Sequence, residues 1–220
     1  MPAILTAVEL EETGLIAIIR TDFEADLMRV SQALAEGGIR AMEITLNTPG
    51  ALAAITAIRH ALSPGMRVGA GTILSPDDAR SAFEAGAEFI VTPTLQTDTI
   101  AFCREHHLPI ACGCMTPTEA LTAHRAGADF IKLFPSDTLG PGYVRALLGP
   151  LPFLKIIPTG GVSRDNLAAF LQAGSVAVAI GGNLVSKATL RDQDWAGLTD
   201  AAREYMQTLA AARGGLSTPP

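Results

Sequence analysis

The strongest constraint on the fold is an alternation that repeats along the whole chain. Short apolar runs rich in β-branched residues alternate with longer segments in which apolar residues recur every three or four positions. The first pattern predicts buried strands, and the second predicts amphipathic helices that pack on them. We predict eight strands, at residues 15–20, 41–47, 67–72, 88–93, 109–114, 129–135, 155–160 and 176–182.

Helix boundaries support this alternation. Ser75, Thr116 and Ser163 each precede acidic or amide residues, which is the composition of a helix start. Predicted helix ends share a glycine that closes the segments EGG (36–38), EAG (84–86), RAG (125–127) and QAG (172–174). Glycine accepts the left-handed conformation that ends a helix before the next strand begins.

Eight strand–helix units in 220 residues predict an α/β fold, a closed (β/α)8 TIM barrel in a single domain spanning residues 1–220. An open, doubly wound sheet is the alternative for the same alternation. We expect residues 212–220, ARGGLSTPP, to form a frayed tail.

Composition excludes several classes of protein. The net charge of −6, without a cluster of Lys and Arg, argues against a nucleic acid partner. No run of eighteen apolar residues occurs, so we predict no membrane span. The N-terminus lacks the pattern of a secretory signal, and three cysteines form no disulfide framework. We therefore expect a cytoplasmic protein with free thiols.

Strand alternation places two charged residues in the barrel lumen. The strand at 41–47 presents one apolar and one polar face, namely Met42, Ile44 and Leu46 against Glu43, Thr45 and Asn47. Because the outer face of a barrel packs on helices, the polar set should point inward. The strand at 129–135 divides in the same way, with Ile131 and Leu133 outward and Phe130, Lys132 and Phe134 inward.

Lys132 has two explanations that the residues alone leave open. An outward-facing or ion-paired lysine is the simpler one, because a buried charge must be paired or neutralised. Alternatively, desolvation in a partly apolar lumen favours the neutral amine, which attacks carbonyl groups to form a Schiff base. A nearby carboxylate such as Glu43 could then move protons.

Glycine pairs follow the last two predicted strands. Strand seven ends in Thr159-Gly160-Gly161 and strand eight in Gly181-Gly182-Asn183. Either pair alone could make a tight turn, but the loops after strands seven and eight of such barrels commonly bind phosphate. The two pairs together favour a phosphate site, and Arg20 at the end of strand one offers positive charge nearby.

The cysteines and histidines do not have the spacing of a metal site. Cys112 and Cys114 have no second pair of ligands, and the histidines fall on predicted helices or their ends, namely His60, His106, His107 and His124. We therefore predict no metal and no cofactor. A phosphate-binding isomerase or synthase, or a non-catalytic phosphosugar-binding barrel, remain alternatives to an enzyme with a Schiff-base lysine.

Seven segments between residues 14 and 186 together resemble a known family: GLIAIIR, MEITLNTP, GAGTIL, VTPT, DFIKLFPS, PTGGV and AIGGN. They are similar to the 2-keto-3-deoxy-6-phosphogluconate (KDPG) and 4-hydroxy-2-oxoglutarate (KHG) aldolases. That family consists of class I lyases on a (β/α)8 barrel. The resemblance implies a metal-independent homotrimer that acts on a phosphorylated keto sugar acid and releases pyruvate.

The resemblance also implies a role for individual residues. Lys132 would form the Schiff base with pyruvate, and Glu43 would be the general acid and base. Arg20 and Thr72 would hold the carboxylate or adjacent oxygens, in a pocket lined by Pro93 and Phe134. The aldehyde half and its phosphate would bind at Thr159, Gly160, Gly161, Gly181, Gly182 and Asn183.

One motif bears on the substrate. Asn47 in LNTP stands where gluconate-type members usually carry arginine, and LNTP together with CGC, TPTEAL and FPSDTLGPGYVRAL resembles the galactonate-type members. Thr159 instead resembles the gluconate type. We predict cleavage of 2-dehydro-3-deoxy-6-phosphogalactonate to pyruvate and D-glyceraldehyde 3-phosphate. The alternative is 2-dehydro-3-deoxy-6-phosphogluconate or 4-hydroxy-2-oxoglutarate, and Asn47 is expected to contact the substrate.

Overall fold

The computed structural model describes residues 6–215, in which eight parallel strands form a barrel surrounded by helices. The strands are β1 Leu15–Ile19, β2 Ala41–Thr45, β3 Arg67–Gly71, β4 Ile90–Val91, β5 Ile110–Cys114, β6 Phe130–Leu133, β7 Ile156–Pro158 and β8 Val178–Ile180. Each lies within a predicted strand, so the eightfold alternation is confirmed. The strands are shorter than predicted because residues at one or both ends of each predicted strand belong to the adjoining loops.

Within residues 6–215, one helix precedes β1, one helix follows each of β1 to β7, and two helices follow β8. They are α1 Ala7–Thr13, α2 Leu27–Glu36, α3 Ala51–Leu62, α4 Pro76–Glu84, α5 Thr97–Glu105, α6 Pro117–Ala126, α7 Gly140–Leu148, α8 Arg164–Gln172, α9 Lys187–Asp192 and α10 Trp195–Gly214. The three predicted caps are confirmed, since Ser75, Thr116 and Ser163 are the N-caps of α4, α6 and α8. The glycines predicted to follow helices have φ between 93° and 104°, namely Gly38, Gly86, Gly127 and Gly174.

Closure of the barrel decides between the two predicted architectures. Strand β8 pairs with β1 in the register Leu15↔Val178. On its other side it meets β7 through a bridge between Thr159 and Ala179, and the Val176 N–H donates to the Ile156 carbonyl at 3.1 Å. Both sides of β8 are therefore paired, which excludes the open sheet and confirms the TIM barrel.

Two separate apolar clusters account for the stability of this architecture. Outward-facing strand residues such as Ile44 and Ile131 pack with the helices in one cluster. Inward-facing residues such as Phe89 and Phe130 fill the lumen in the other, where Leu10 of α1 joins them. The predicted alternation of inward and outward residues along β2 and β6 is thus confirmed. Burial of apolar surface on both faces of the strands stabilises the barrel.

The C-terminal segment departs from the prediction. Helix α10 continues to Gly214, so residues 212–214 of the tail that we expected to fray are helical in this structure. Arg213 explains the difference, because its guanidinium donates to the carbonyls of Glu11, Glu12 and Val176. Residues 216–220 of the predicted tail lie outside the described residues. Between residues 6 and 215, no helix has the length and apolar character needed to cross a bilayer.

Candidate active site

The structure brings Lys132 and Glu43 together inside the barrel. Lys132 projects from β6 and Glu43 from β2, and Lys132 Nζ lies 3.8 Å from Glu43 Oε1. Their side chains are 4% and 1% exposed. Glu43 Oε1 has no hydrogen-bond partner within residues 6–215. A buried carboxylate oxygen without a donor is costly to maintain, and it retains lone pairs that can accept a proton.

Two phenylalanines flank Lys132 along the chain, and one ring lies near its amine. The Nζ atom lies 5.3 Å from the centre of the Phe134 ring, and Phe130 is fully buried in the lumen two residues before the lysine. With its side chain 4% exposed, Lys132 has little contact with bulk water. An amine beside a carboxylate in such surroundings can act as a nucleophile whose protons the carboxylate carries.

Two glycines allow close packing near this pair. A Cβ on Gly71 would lie 2.7 Å from Glu43 Oε1, and one on Gly113 would collide with the backbone of Pro93. Gly113 is also the residue that pairs with Lys132 between β5 and β6. Neither glycine was among the predicted site residues, although glycine within a strand is a signal of close approach.

A cavity of about 650 Å³ opens above the pair at the carboxyl end of the strands. This volume falls in the range of small-molecule sites. Lys132 lines the cavity together with most of the other predicted site residues, namely Arg20, Asn47, Phe134, Thr159, Gly160, Gly161, Gly181, Gly182 and Asn183. The sequence-based selection of these residues therefore identifies one continuous space.

Three predicted residues lie just outside the cavity lining. Glu43 is reached through Lys132, and Pro93 packs its backbone against Gly113. Thr72 Oγ1 accepts a long hydrogen bond of 3.5 Å from Arg20 Nη2. Thr72 also has a φ of 58°, a left-handed conformation that is unusual for a β-branched residue and is typical of functional sites.

The two glycine turns are connected to each other. Gly160 and Gly161 have φ values of 90° and 72°, which residues with a side chain rarely adopt. The Asn183 side chain donates to the Val162 carbonyl at 2.9 Å, so the turn after β8 is tied to the turn after β7. Ser136 Oγ, fully buried, donates to the carbonyls of Leu133 and Thr159 and so joins the end of β6 to the first turn.

Comparison with known proteins agrees with this geometry. The model of the aldolase family described as "KDPG and KHG aldolase" matches residues 7–201. The chain belongs to this family. The 2-dehydro-3-deoxy-phosphogluconate aldolase of Pseudomonas aeruginosa is 36% identical over 203 residues, or 92% of each chain. The 2-dehydro-3-deoxy-6-phosphogalactonate aldolase of Escherichia coli K12 is 36% identical over 171 residues, which cover 77% of this chain and 83% of that one.

A solved structure of the family shares the fold of this member. The native KDPGal structure has a TM-score of 0.85 at 32% identity, covering 91% of this chain and 96% of the other. The resemblance seen in the sequence motifs is thus confirmed, as is the assignment to the carbon–carbon lyases. The Pseudomonas gluconate-type enzyme and the Escherichia coli galactonate-type enzyme are thus both 36% identical to this aldolase, over 203 and 171 residues.

The cavity of this aldolase also contains residues that the sequence patterns did not reveal. Thr21, Asp22, Ser186 and Lys187 line it, and Lys187 Nζ donates to Asp22 Oδ2 at 2.8 Å. That hydrogen bond is the main reason why the pKa of Asp22 lies below its usual value, and Lys187 adds a Coulombic contribution. Lys187 lies five residues beyond Gly182 on a separate helix, so no motif links it to the site.

Histidines and cysteines of this aldolase do not line the cavity. His60, His107 and His124 are exposed, and His106 stacks on Phe102 between α4 and α5. The three cysteines are buried free thiols, namely Cys103, Cys112 and Cys114. Among residues 6–215, no group of three His, Cys, Asp or Glu side chains is arranged to hold a metal ion.

Proposed function

We propose that this protein is a class I aldolase that cleaves 2-dehydro-3-deoxy-6-phosphogalactonate to pyruvate and D-glyceraldehyde 3-phosphate. The observation that carries the proposal is the buried pair of Lys132 and Glu43, 3.8 Å apart at the base of the cavity. A Schiff-base aldolase needs a water-poor amine and a carboxylate within reach of the same substrate carbon atoms.

In the proposed reaction, Lys132 Nζ attacks the C2 ketone to form a carbinolamine. Loss of water, with Glu43 supplying the proton, leaves an iminium ion. The iminium draws electrons from the C3–C4 bond while the C4 hydroxyl gives up its proton toward Glu43, so the bond breaks and D-glyceraldehyde 3-phosphate leaves. Glu43 returns the proton to C3 of the enamine, and hydrolysis of the iminium releases pyruvate and the free lysine.

Substrate orientation follows from the two ends of the cavity. Arg20 and Thr72 would hold the carboxylate next to C2, because a guanidinium offers charge-assisted hydrogen bonds. Pro93 and Phe134 would enclose the pyruvate half. The turns at Gly160, Gly161, Gly181 and Gly182, with Thr159 and Asn183, would hold the phosphate of the aldehyde half through backbone N–H groups.

The gluconate-type substrate is the second candidate. Thr159 lines the cavity, and it resembles the residue of gluconate-type members at this position. Asn47 lines the same cavity, and the two substrates differ in configuration at C4. A single polar contact can discriminate between them, because an unpaired polar group costs about 1–3 kcal/mol.

The test compares both C4 epimers and 4-hydroxy-2-oxoglutarate in an assay that couples pyruvate release to lactate dehydrogenase. We expect the highest kcat/KM for the phosphogalactonate epimer. A higher value for the phosphogluconate epimer would transfer the assignment to the gluconate type. No pyruvate from any of the three would overturn the aldolase proposal, and EDTA should leave the rate unchanged.

Lys132→Ala tests the nucleophile directly. With pyruvate and borohydride, the wild type should gain the mass of a reduced pyruvate adduct, and Lys132→Ala should gain none. Lys155→Ala is the matched control, because this lysine pairs with Glu11 at 2.7 Å away from the cavity. An adduct that survives in Lys132→Ala would refute the mechanism, and unaltered turnover would favour a phosphate-binding isomerase or synthase.

We also propose a cytoplasmic homotrimer. Leu74 and Met115 support self-association, because they are 55% and 41% exposed on loops after β3 and β5 at the same end of the barrel. Association with other copies of the chain would remove such exposed apolar side chains from water. Light scattering should give three times the chain mass of 22.9 kDa. A monomeric mass would contradict the proposal, and Leu74→Lys with Met115→Lys should lower the mass of a trimer.

A further inference from the structure

An ion pair at the mouth of the cavity has no role in the chemistry described so far. We infer that Lys187 determines selectivity for a phosphorylated substrate, and that Asp22 competes with the phosphate for this lysine. The inference rests on the proposed function, in which the ligand carries a phosphate at the glycine turns.

Geometry places the pair where a ligand would meet it. Asp22 follows β1 and Lys187 follows β8, and these two strands are neighbours in the barrel. Both residues line the same cavity as the glycine turns. Their side chains meet at 2.8 Å between Nζ and Oδ2. The pair therefore joins two loops at the rim, within the space that the ligand would occupy.

Charge around the cavity favours Lys187 as the partner of the phosphate. Three cations line the cavity, of which Lys132 lies at the base with Glu43, and Arg20 lies beside Thr72. Lys187 is the third cation, and it stands at the start of α9, directly after the loop that contains the second glycine turn. Backbone N–H groups alone do not neutralise a phosphate, and a protein with a net charge of −6 needs local positive charge to attract one.

The pair is weak enough to exchange. The side chains of Lys187 and Asp22 are 54% and 69% exposed, and water screens the attraction between exposed charges, so such a pair contributes little to stability. A phosphate monoester carries a charge of about −1.5 to −2 at neutral pH and three acceptor oxygens. Lys187 would therefore gain more from a phosphate than from one carboxylate. An aspartate is ionised at neutral pH in any case, and the hydrogen bond from Lys187 lowers the pKa of Asp22 further.

If Asp22 competes with the phosphate for Lys187, substitutions of the two residues should change the affinity for a phosphorylated ligand in opposite directions. Lys187→Met removes the partner of the phosphate and should weaken binding. Asp22→Asn frees Lys187 and removes a negative charge near the phosphate, so it should strengthen binding. A pair that merely ties two loops together would instead give losses of similar size for both variants. In the double variant, the gain from Asp22→Asn should shrink, since no lysine is left to release.

The first measurement is calorimetric binding of 3-phosphoglycerate, with glycerate as the analogue that lacks the phosphate. For Lys187→Met we expect the Kd of 3-phosphoglycerate to rise about tenfold, the size of one charge-assisted hydrogen bond. For Asp22→Asn we expect it to fall about twofold to threefold. Lys155→Met and Glu11→Gln are the matched controls, because they form an ion pair of 2.7 Å that does not line the cavity.

The second measurement is the ratio of kcat/KM for the phosphorylated sugar acid to that for 4-hydroxy-2-oxoglutarate. This ratio should fall in Lys187→Met and rise in Asp22→Asn. Wild-type affinity for 3-phosphoglycerate in Lys187→Met, weaker affinity in Asp22→Asn, or no binding by the wild type would each overturn the inference. If the wild type cleaves neither substrate, the aldolase proposal fails, and the calorimetry still decides the role of Lys187.

Discussion

Among single residues, Glu43 has little space around its carboxylate, and this restricts where the carboxylate can lie. Its carboxylate is 1% exposed, lies beside Lys132 and faces Gly71 on the adjacent strand. A carboxylate held this tightly can reach one set of atoms, and that is what positioned proton transfer requires. Both its charge and its position can be altered by substitutions that preserve the volume of the core.

Glu43→Gln should abolish proton transfer while keeping the shape of the site. We expect turnover to fall by about 10²- to 10⁴-fold, the usual contribution of a general acid–base group. Adduct formation with pyruvate and borohydride should also slow, because dehydration of the carbinolamine needs a proton. Glu24→Gln, at an exposed position before α2, is the control. Wild-type turnover in Glu43→Gln would exclude the proposed role.

Gly71→Ala should displace Glu43 without removing it. The new methyl group would lie 2.7 Å from Oε1, so the carboxylate has to move. We expect kcat to fall by about 100-fold, since displacements of about 1 Å have effects of this size. Gly142→Ala is the control, because no atom lies within 4 Å of its added Cβ. If stopped assays give equal kcat for both variants, the position of Glu43 is less critical than proposed.

Among the secondary-structure elements, helix α6 has a capping interaction that should make stability depend on pH. Helix α6 begins with a capping box in which Thr116 and Glu119 hydrogen-bond each other's backbone N–H groups. Glu119 also accepts from the N–H of Met115, the residue that follows β5. These hydrogen bonds, led by the one from Met115, lower the pKa of Glu119. The loop after β5 is thereby attached to the start of the helix.

Glu119→Gln should reduce the loss of stability in acid. The unfolded chain binds a proton at the ordinary pKa near 4.5, and the folded chain binds it at a lower pH. Between these values the unfolded state holds more protons, so the free energy of unfolding decreases as pH falls. The variant should therefore show a flatter decrease below about pH 4.5 in urea titrations. The same slope in wild type and variant would show that Glu119 is not responsible.

One arginine connects the two ends of the chain at the scale of the whole molecule. Arg213 in α10 donates to the carbonyls of Glu12 at 2.8 Å, Glu11 at 3.0 Å and Val176 at 3.2 Å. It thus joins the end of α1 to the segment that enters β8. Helix α1 in turn packs Leu10 into the lumen cluster. The amino end of the barrel is stabilised in this way, opposite the cavity.

Arg213→Ala should destabilise the barrel without changing the chemistry. Loss of charged hydrogen bonds to carbonyl groups typically costs about 1.5–3 kcal/mol. We expect a decrease of this size in the free energy of unfolding, measured from the urea midpoint. Arg203→Ala is the control, because Arg203 pairs with Asp200 at an exposed position. A decrease equal to that of the control would show that the ends of the chain are joined by other contacts.

Local patterns made much of the architecture predictable. Strand alternation fixes which side chains leave each face, so the inward positions of Glu43 and Lys132 follow from their neighbours. The caps at Thr116 and Ser163 follow from chemistry within four residues. The helical end at residues 212–214 could not be predicted in this way, because Arg213 is held by carbonyls about 200 residues earlier in the chain.

Local periodicity and capping were therefore enough to predict the eight strand–helix units, the inward positions of Lys132 and Glu43, and the glycine turns after β7 and β8. Only the tertiary structure decided that β8 closes against both β1 and β7, which sets the 3.8 Å separation across the lumen. It also decided that Asp22 and Lys187 meet at the rim. The physical reason is range: periodicity and capping act within a few residues, whereas these contacts depend on how the whole barrel closes.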